Sequence, residues 1–282
     1  MTLQRLLREA TARLASAGMA TPRLDAEVLL RHVLGFDRVQ LFQRLPDLAD
    51  DGVEFALDAL IERRLRGEPV AYLTGTREFM GLSFRVNPYV LIPRPETELL
   101  VEWALEWLTT RSAATVIDVG TGSGAIAISL AALAPPSLGL TVVATDLSAP
   151  ALAVARGNGA RHGALARSRL RFVRGSLLEP LAGPVDLILA NLPYLTPEQM
   201  TGNPDLAAEP PEALDGGDDG LALVRALIAD LPRVLAHNGA AGFELDPSQT
   251  AAVTALLRVT LPGTRVRTIR DLAGLPRHVI VD

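Results

Sequence analysis

Four consecutive residues, Asn191-Leu192-Pro193-Tyr194, carry the groups needed to hold a flat amino group still. The Asn amide offers a carbonyl acceptor and two N–H donors, so it can accept from, and donate to, another planar amide or amidine. Pro193 fixes its own φ and keeps Leu192 extended, which holds the Leu192 carbonyl in one direction. Tyr194 adds an aromatic face. The plain alternative is a turn that ends a strand and is capped by Asn191. A second group, Gly120-Thr121-Gly122-Ser123-Gly124, stands where a backbone is brought close to a nucleotide-like cofactor. Its glycines read GxGxG and not GxGxxG. That spacing favours van der Waals approach to an uncharged-tailed nucleoside over cradling of a pyrophosphate. Asp146 is placed to accept both hydroxyls of a ribose, and it is also a possible helix N-cap. Gly175-Ser176-Leu177-Leu178 is where an adenine is expected.

The elements around these residues follow from their patterning. The apolar run Val185 to Ala190, bounded by Gly183-Pro184 and Pro193, reads as a buried parallel strand that ends at Asn191. Thr115 to Val119 is a short strand running into the Gly-rich turn, and the helix Ala125 to Ala134 follows it. Thr141 to Thr145 and Leu170 to Val173 supply the next strands, with the helix Pro150 to Arg161 between them. Leu195 to Gly220, rich in Pro, Gly, Asp and Glu, is long enough to be a functional lid. The helix Leu221 to Leu235, the strand Ala240 to Leu245, the helix Ser248 to Leu257 and strands at Arg265 to Ile269 and His278 to Val281 complete the chain.

Residues 1 to about 70 have a different pattern. Leu3, Leu6, Leu7, Ala10 and Leu14 recur at helical spacing, as do Ala26, Leu29, Leu30 and Val33 after Pro22, and Val53, Leu57, Leu60, Ile61 and Leu65. Gly35 and Gly67 stop the last two stripes. This predicts a small helical bundle, with His32 packed among apolar neighbours and Glu62-Arg63-Arg64 on a solvated face; the functional option is a partner-docking domain. Glu78 to Val86 alternates around Gly81, and Val90 to Ile92 follows Asn87-Pro88, which predicts a β-hairpin between two domains. Thr97 is the expected N-cap of a helix through Leu108, and Pro93 and Pro95 bracket Arg94 in a stiff loop. The expected boundaries are 1–72, 73–94 and 95–282.

Composition excludes several classes. There are 282 residues, 49% of them hydrophobic, and no Cys, so disulfides and thiolate metal sites are ruled out. His162, His237 and His278 lack the spacing of a metal site. The net charge of −5 and the pI near 5.5 argue against a protein that grips nucleic acid by its phosphates. The basic residues number 27 and all are Arg, a mark of genome composition. The N-terminus lacks an apolar signal core, and the uncharged stretch Val119 to Thr145 is broken by Pro135-Pro136 and punctuated by glycines. A cytoplasmic protein with no membrane span is expected.

From Thr115 onward the chain resembles the class I S-adenosylmethionine-dependent methyltransferases, and within them the release-factor glutamine methyltransferases (the HemK/PrmC family). The resemblance rests on Gly75-Thr76-Arg77-Glu78-Phe79-Met80-Gly81, on Leu91-Ile92-Pro93-Arg94-Pro95-Glu96-Thr97-Glu98, and on Asp118 to Ala127. It continues in Glu209-Pro210, in Ala213 to Leu221, and in Asp271-Leu272-Ala273-Gly274. It implies an α/β, Rossmann-like domain with a seven-stranded, mostly parallel sheet, preceded by a helical bundle. The family's Asn-Pro-Pro-Tyr motif falls on Asn191 to Tyr194, with Leu192 in place of the first Pro, and Leu177 matches a position often aromatic against the adenine.

The chemistry that the resemblance implies is methylation of the side-chain amide nitrogen of the Gly-Gly-Gln glutamine in bacterial peptide chain release factors. Asn191 and the Leu192 carbonyl would accept the two amide hydrogens, Tyr194 would pack on the amide plane, and reacting atoms would start roughly 3–3.5 Å apart. The cofactor, S-adenosylmethionine, would lie on Gly120, Thr121, Gly122, Ser123, Gly124, Asp146, Leu177 and Asn191. No metal is required. The rival chemistry is N6-adenine methylation of DNA or RNA, whose target is also a flat exocyclic NH2. A binding module that keeps the fold and has lost turnover is the rival from another class.

Overall fold

The computed structural model describes residues 1–164, 169–201 and 206–282. These fall into two compact units, one built on Met1–Thr76 and the other beginning at Arg77.

The first unit is helical. It contains α1 (Leu3–Ser16), α2 (Pro22–Leu34), α3 (Arg38–Gln43), α4 (Asp51–Leu65) and α5 (Val70–Thr74). Thr2 caps α1 by accepting from the Arg5 N–H, and Gly35 ends α2 in the left-handed conformation that an L side chain disfavours. The stripe Leu3, Leu7, Ala10, Leu14 is buried against Leu29, Leu30, Leu57 and Ile61. The short α3 and α5 carry too few turns to leave a periodic signature. His32 is a correction to the sequence expectation: it lies exposed in the last turn of α2. Arg64 also departs from the solvated-face expectation. It is half-buried, and its Nε donates to the buried Asp25 carboxylate at 2.8 Å.

The second unit opens on a hairpin, β1 (Thr76–Phe79) and β2 (Leu82–Arg85). Both turn residues have positive φ, Met80 at 52° and Gly81 at 72°. The Met80 N–H donates to Glu98 Oε1 at 2.7 Å, which ties the turn to α6 (Glu96–Leu108). Residues 90–92 do not form the second half of a hairpin. Pro88 and Pro93 flank them, and the Ile92 N–H donates to the buried Glu209 carboxylate and not to a ladder.

The sheet contains β3 (Ala113–Val119), β4 (Gly139–Asp146), β5 (Arg169–Arg174), β6 (Val185–Ala190), β7 (Leu235–Glu244), β8 (Val266–Arg270) and β9 (Pro276–Val281). Its order is β5-β4-β3-β6-β7-β9-β8. Strands β3 to β7 pair in parallel, and β9 runs antiparallel to both β7 and β8. The helices α7 (Ala125–Leu133), α8 (Ala149–Arg161), α9 (Pro197–Thr201), α10 (Ala222–Val234) and α11 (Thr250–Thr260) follow the strands. Alternate residues of the central strands feed two cores. Val116, Leu187 and Leu189 meet Leu100 and Leu130 on one face. Ile117, Val119 and Ile188 meet Leu227, Leu231 and Leu257 on the other. Burial on both faces is why these strands read as near-continuous apolar runs. Most strands extend one or two residues beyond the apolar runs, because ladder pairing continues through polar ends such as Asp146 and Arg174.

Within the irregular stretch after β6, α9 and a 3-10 turn at Pro211–Ala213 are formed; residues 202–205 of that stretch lie outside the described residues. Among the described residues, no helix is long and apolar enough to cross a membrane.

Candidate active site

Strand order reverses between β3 and β6, and Val119 sits beside Ala190 in the ladder. The Gly-rich turn and Asn191 therefore leave the sheet side by side, at the topological switch point where open α/β sheets place ligands. The backbone N–H groups of Gly120 and Thr121 both donate to the Thr145 carbonyl, each at 2.9 Å. That pair of bonds bends the chain away from β3. Gly120, Gly122 and Gly124 have φ of 72°, 54° and 84°, a region that L side chains rarely adopt. At Gly122 a Cβ would meet nothing within 4 Å, whereas at Gly124 it would lie 2.6 Å from Ile128 Cδ1. Gly122 thus opens the loop to a ligand, and Gly124 lets the loop pack on α7.

Two carboxylates shape this loop. Asp146 Oδ2 accepts from the Gly122 N–H at 2.9 Å and Oδ1 from the Ser148 N–H at 2.8 Å. Burial raises its pKa, against the lowering effect of those bonds. The N-cap of α8 is Ser148, which accepts from Ala151, so the capping alternative for Asp146 is set aside. Asp118, quoted above only as part of a motif, is buried at the end of β3. Its Oδ2 accepts from Thr121 Oγ1 at 2.6 Å and from the Ala127 N–H at 3.1 Å, while Oδ1 is buried without a partner. Burial pushes its pKa from the ordinary 3.8 to about 7.

A folded-state pKa above the unfolded one means that the native state holds the extra proton between those values. Stability then falls as pH rises from about 4 to about 7, by on the order of a few kcal/mol, and is level above that. Asp118→Asn, which cannot ionise, is expected to flatten this decline. Thermal unfolding of both proteins from pH 5 to 8 checks it; parallel profiles would contradict the assignment.

Asn191 Nδ2 donates to Thr97 Oγ1 at 3.0 Å, and Asn191 Oδ1 has no partner among the described residues. Leu192 is buried, and its Cδ2 lies 3.0 Å from where a Cβ on Gly120 would stand. Its side chain therefore packs beneath the Gly turn while its carbonyl stays part of the motif. Tyr194 is largely enclosed, and burial, then the nearby Glu244 charge, raises its phenol pKa. Its carbonyl accepts from Gln249 Nε2 at 2.8 Å.

A cleft of about 770 Å³, counting its open mouth, lies over these residues. Gly120, Thr121, Gly122, Ser123, Asp146, Asn191 and Pro193 line it. Gly124, Leu177, Leu192 and Tyr194 are not in the lining. Leu177 packs against the core that holds Ile188 and Leu227, with a strained φ of 46°, and its carbonyl accepts from Thr145 Oγ1. The open Gly122, the paired backbone turn and the carboxylate at the end of β4 fit a nucleoside-bearing cofactor. Among the described residues no cluster could hold a metal ion.

Several residues take part in the site in ways that the sequence reading does not give them. Thr97 lines the cleft and is the second residue of α6, not its cap; Pro95 holds the cap position. Arg94 pairs with the buried Glu209, which pins the Pro-bracketed loop to the cleft's far wall. Asn158, fully buried in α8, donates to the Ser123 carbonyl at 2.9 Å and to the Arg85 carbonyl, and accepts from the Arg85 N–H. It joins the Gly turn to the hairpin. The shared motif around Arg94 and Glu209 pointed to that pair; nothing local marks Asn158.

Two family models match, "PrmC N-terminal domain" over residues 5–75 and "Methyltransferase small domain" over residues 96–217. Among curated relatives, a release factor glutamine methyltransferase of Bordetella pertussis is 46% identical, covering 94% of this chain and 95% of its own. One from Deinococcus radiodurans is 41% identical, covering 99% and 98%. Among solved structures, a methyltransferase from Pyrococcus furiosus aligns with a TM-score of 0.52 at 19% identity, covering 78% of this chain and 95% of that one. The N-terminal domain of human METTL16 in complex with SAH aligns at 0.52 and 18%, covering 72% and 76%. At these identities the two structures speak to the fold alone.

Proposed function

This chain belongs to the release factor glutamine methyltransferase family, and from that premise we propose that it methylates the side-chain amide nitrogen (N5) of the Gly-Gly-Gln glutamine in bacterial class 1 peptide chain release factors. S-adenosylmethionine is the methyl donor, and when bound it supplies an electrophilic methyl group on a sulfonium. The observation that supports the site most is an Asn amide carbonyl with no partner among the described residues, beside the Gly turn where β3 and β6 end together.

A glutamine nitrogen is a poor nucleophile because its lone pair is delocalised into the carbonyl. Asn191 Oδ1 and the Leu192 carbonyl accept the two N–H groups, which favours a localised lone pair aimed at the cofactor and stabilises positive charge as it develops. Pro193 keeps the Leu192 carbonyl directed, and Tyr194 packs against the amide plane. Asp146 takes the ribose hydroxyls, and Gly120 to Gly124 give the backbone close approach. The proton leaves to water after transfer, since the amide nitrogen is by then strongly acidic, so no strong base is needed. Residues 1–72 dock another part of the factor, 73–94 join them to the catalytic domain 95–282, and the protein works in the cytoplasm without binding nucleic acid directly.

Adenine N6 methylation is the competing chemistry. Labelled S-adenosylmethionine offered with a release factor and with single-stranded DNA and RNA separates them. Label is expected in the factor; label in nucleic acid alone would overturn the proposal.

A further inference from the structure

The Asn191 amide must present oxygen, not nitrogen, to the substrate, and nothing in its own side chain ensures that. The terminal torsion of Asn is broad and roughly two-fold, so the amide can turn over at little cost. An amide turned over would direct N–H groups at the substrate's own N–H groups. Some neighbour has to choose the orientation.

We propose that Thr97 is the positioning residue that sets the Asn191 amide for methyl transfer, its hydroxyl oxygen accepting from Nδ2 so that Oδ1 faces the substrate. The bond is 3.0 Å long and spans 94 residues of sequence. Thr97 is buried, and it is the residue through which the start of α6 reaches the cleft at this point. Its own position is fixed from behind. The Thr97 N–H donates to the Arg94 carbonyl at 3.1 Å, and Arg94 is held by the buried Glu209. The neighbouring Glu98 is held by the Met80 N–H. The hydroxyl is therefore presented by a rigid helix start, the kind of support that keeps a reacting geometry within a fraction of an ångström.

The inference rests on Asn191 having the orienting role given above, so Asn191→Ala is measured alongside. Thr97→Val keeps the shape and removes the acceptor. It is expected to lower kcat about tenfold, the worth of one neutral hydrogen bond, with KM for the release factor and the cofactor dissociation constant little changed. Thr97→Ser is expected to restore most of the rate, and Thr97→Val added to Asn191→Ala to cost nothing further, because residues acting as one unit are non-additive. If Thr97→Val does not fold, Thr97→Ala takes its place and the Ser variant remains the control. Full kcat in the variant lacking the hydroxyl, or equal loss in Thr97→Ser and Thr97→Val, overturns the proposal for Thr97. Full activity of Asn191→Ala instead overturns the role of Asn191 on which it rests.

Discussion

Asn191→Ala lowers the rate of methyl transfer by about 10²- to 10³-fold, the usual cost of deleting one preorganised group that meets developing charge, and leaves the cofactor affinity within about twofold. The side chain leaves β6 at the cleft with a carbonyl that nothing described occupies. The cofactor pocket is built mainly by other parts: the Gly turn, Asp146 and the helix start at Ser148. Truncation to Ala removes an acceptor needed as the amide nitrogen becomes positive and leaves those parts in place. Single-turnover kinetics together with calorimetric titration of S-adenosylmethionine measures both. Equal loss of rate and cofactor affinity would show that Asn191 holds the cofactor and does not orient the substrate.

Gly220→Ala has a comparably large effect by a different route. Gly220 has φ +71°, and a Cβ on it would lie 2.1 Å from the Tyr194 carbonyl oxygen and 2.3 Å from Gln249 Nε2. Those two atoms are hydrogen-bonded to each other. The added methyl cannot be accommodated without displacing the backbone of Tyr194, the last residue of the Asn-Leu-Pro-Tyr run. Left-handed backbone strain of about 1–2 kcal/mol adds to an overpacking cost of about 1–3 kcal/mol. A fall in stability of about 2–5 kcal/mol is expected, with a loss of activity that persists at temperatures where the variant is still folded. Denaturant unfolding and activity measured below the transition check this. A stable variant with wild-type rate would mean that the segment before α10 does not govern the motif.

The site residues whose places in the fold are legible in the sequence are marked by their near neighbours. Gly120 to Gly124 follow an apolar strand and precede an apolar helix, so spacing alone placed them at a βα turn. Asn191 ends a run of buried residues bounded by prolines, and that is enough to put it at a strand's carboxyl end. What escaped the sequence depends on partners far along the chain. Thr97 looked like a helix cap because Thr before a helical stripe usually is one; its hydroxyl instead serves Asn191, which the fold brings to the start of α6. Asn158 satisfies the Ser123 and Arg85 backbone from 35 and 73 residues away. The elevated pKa of Asp118 comes from being sealed between β3 and α7, a property of packing and not of its neighbours in sequence. His32 departs from expectation for the opposite reason: a stripe of apolar neighbours does not say on which side of the helix a single residue falls.

The most direct test of the central claim is fragmentation mass spectrometry of an unmodified bacterial class 1 release factor after incubation with this protein and S-adenosylmethionine. The expected result is one added methyl group, localised to the glutamine of the Gly-Gly-Gln motif and absent when Asn191→Ala replaces the wild-type protein. A factor that stays unmodified while cofactor binding is confirmed, or a methyl group found elsewhere on it, would contradict the assignment.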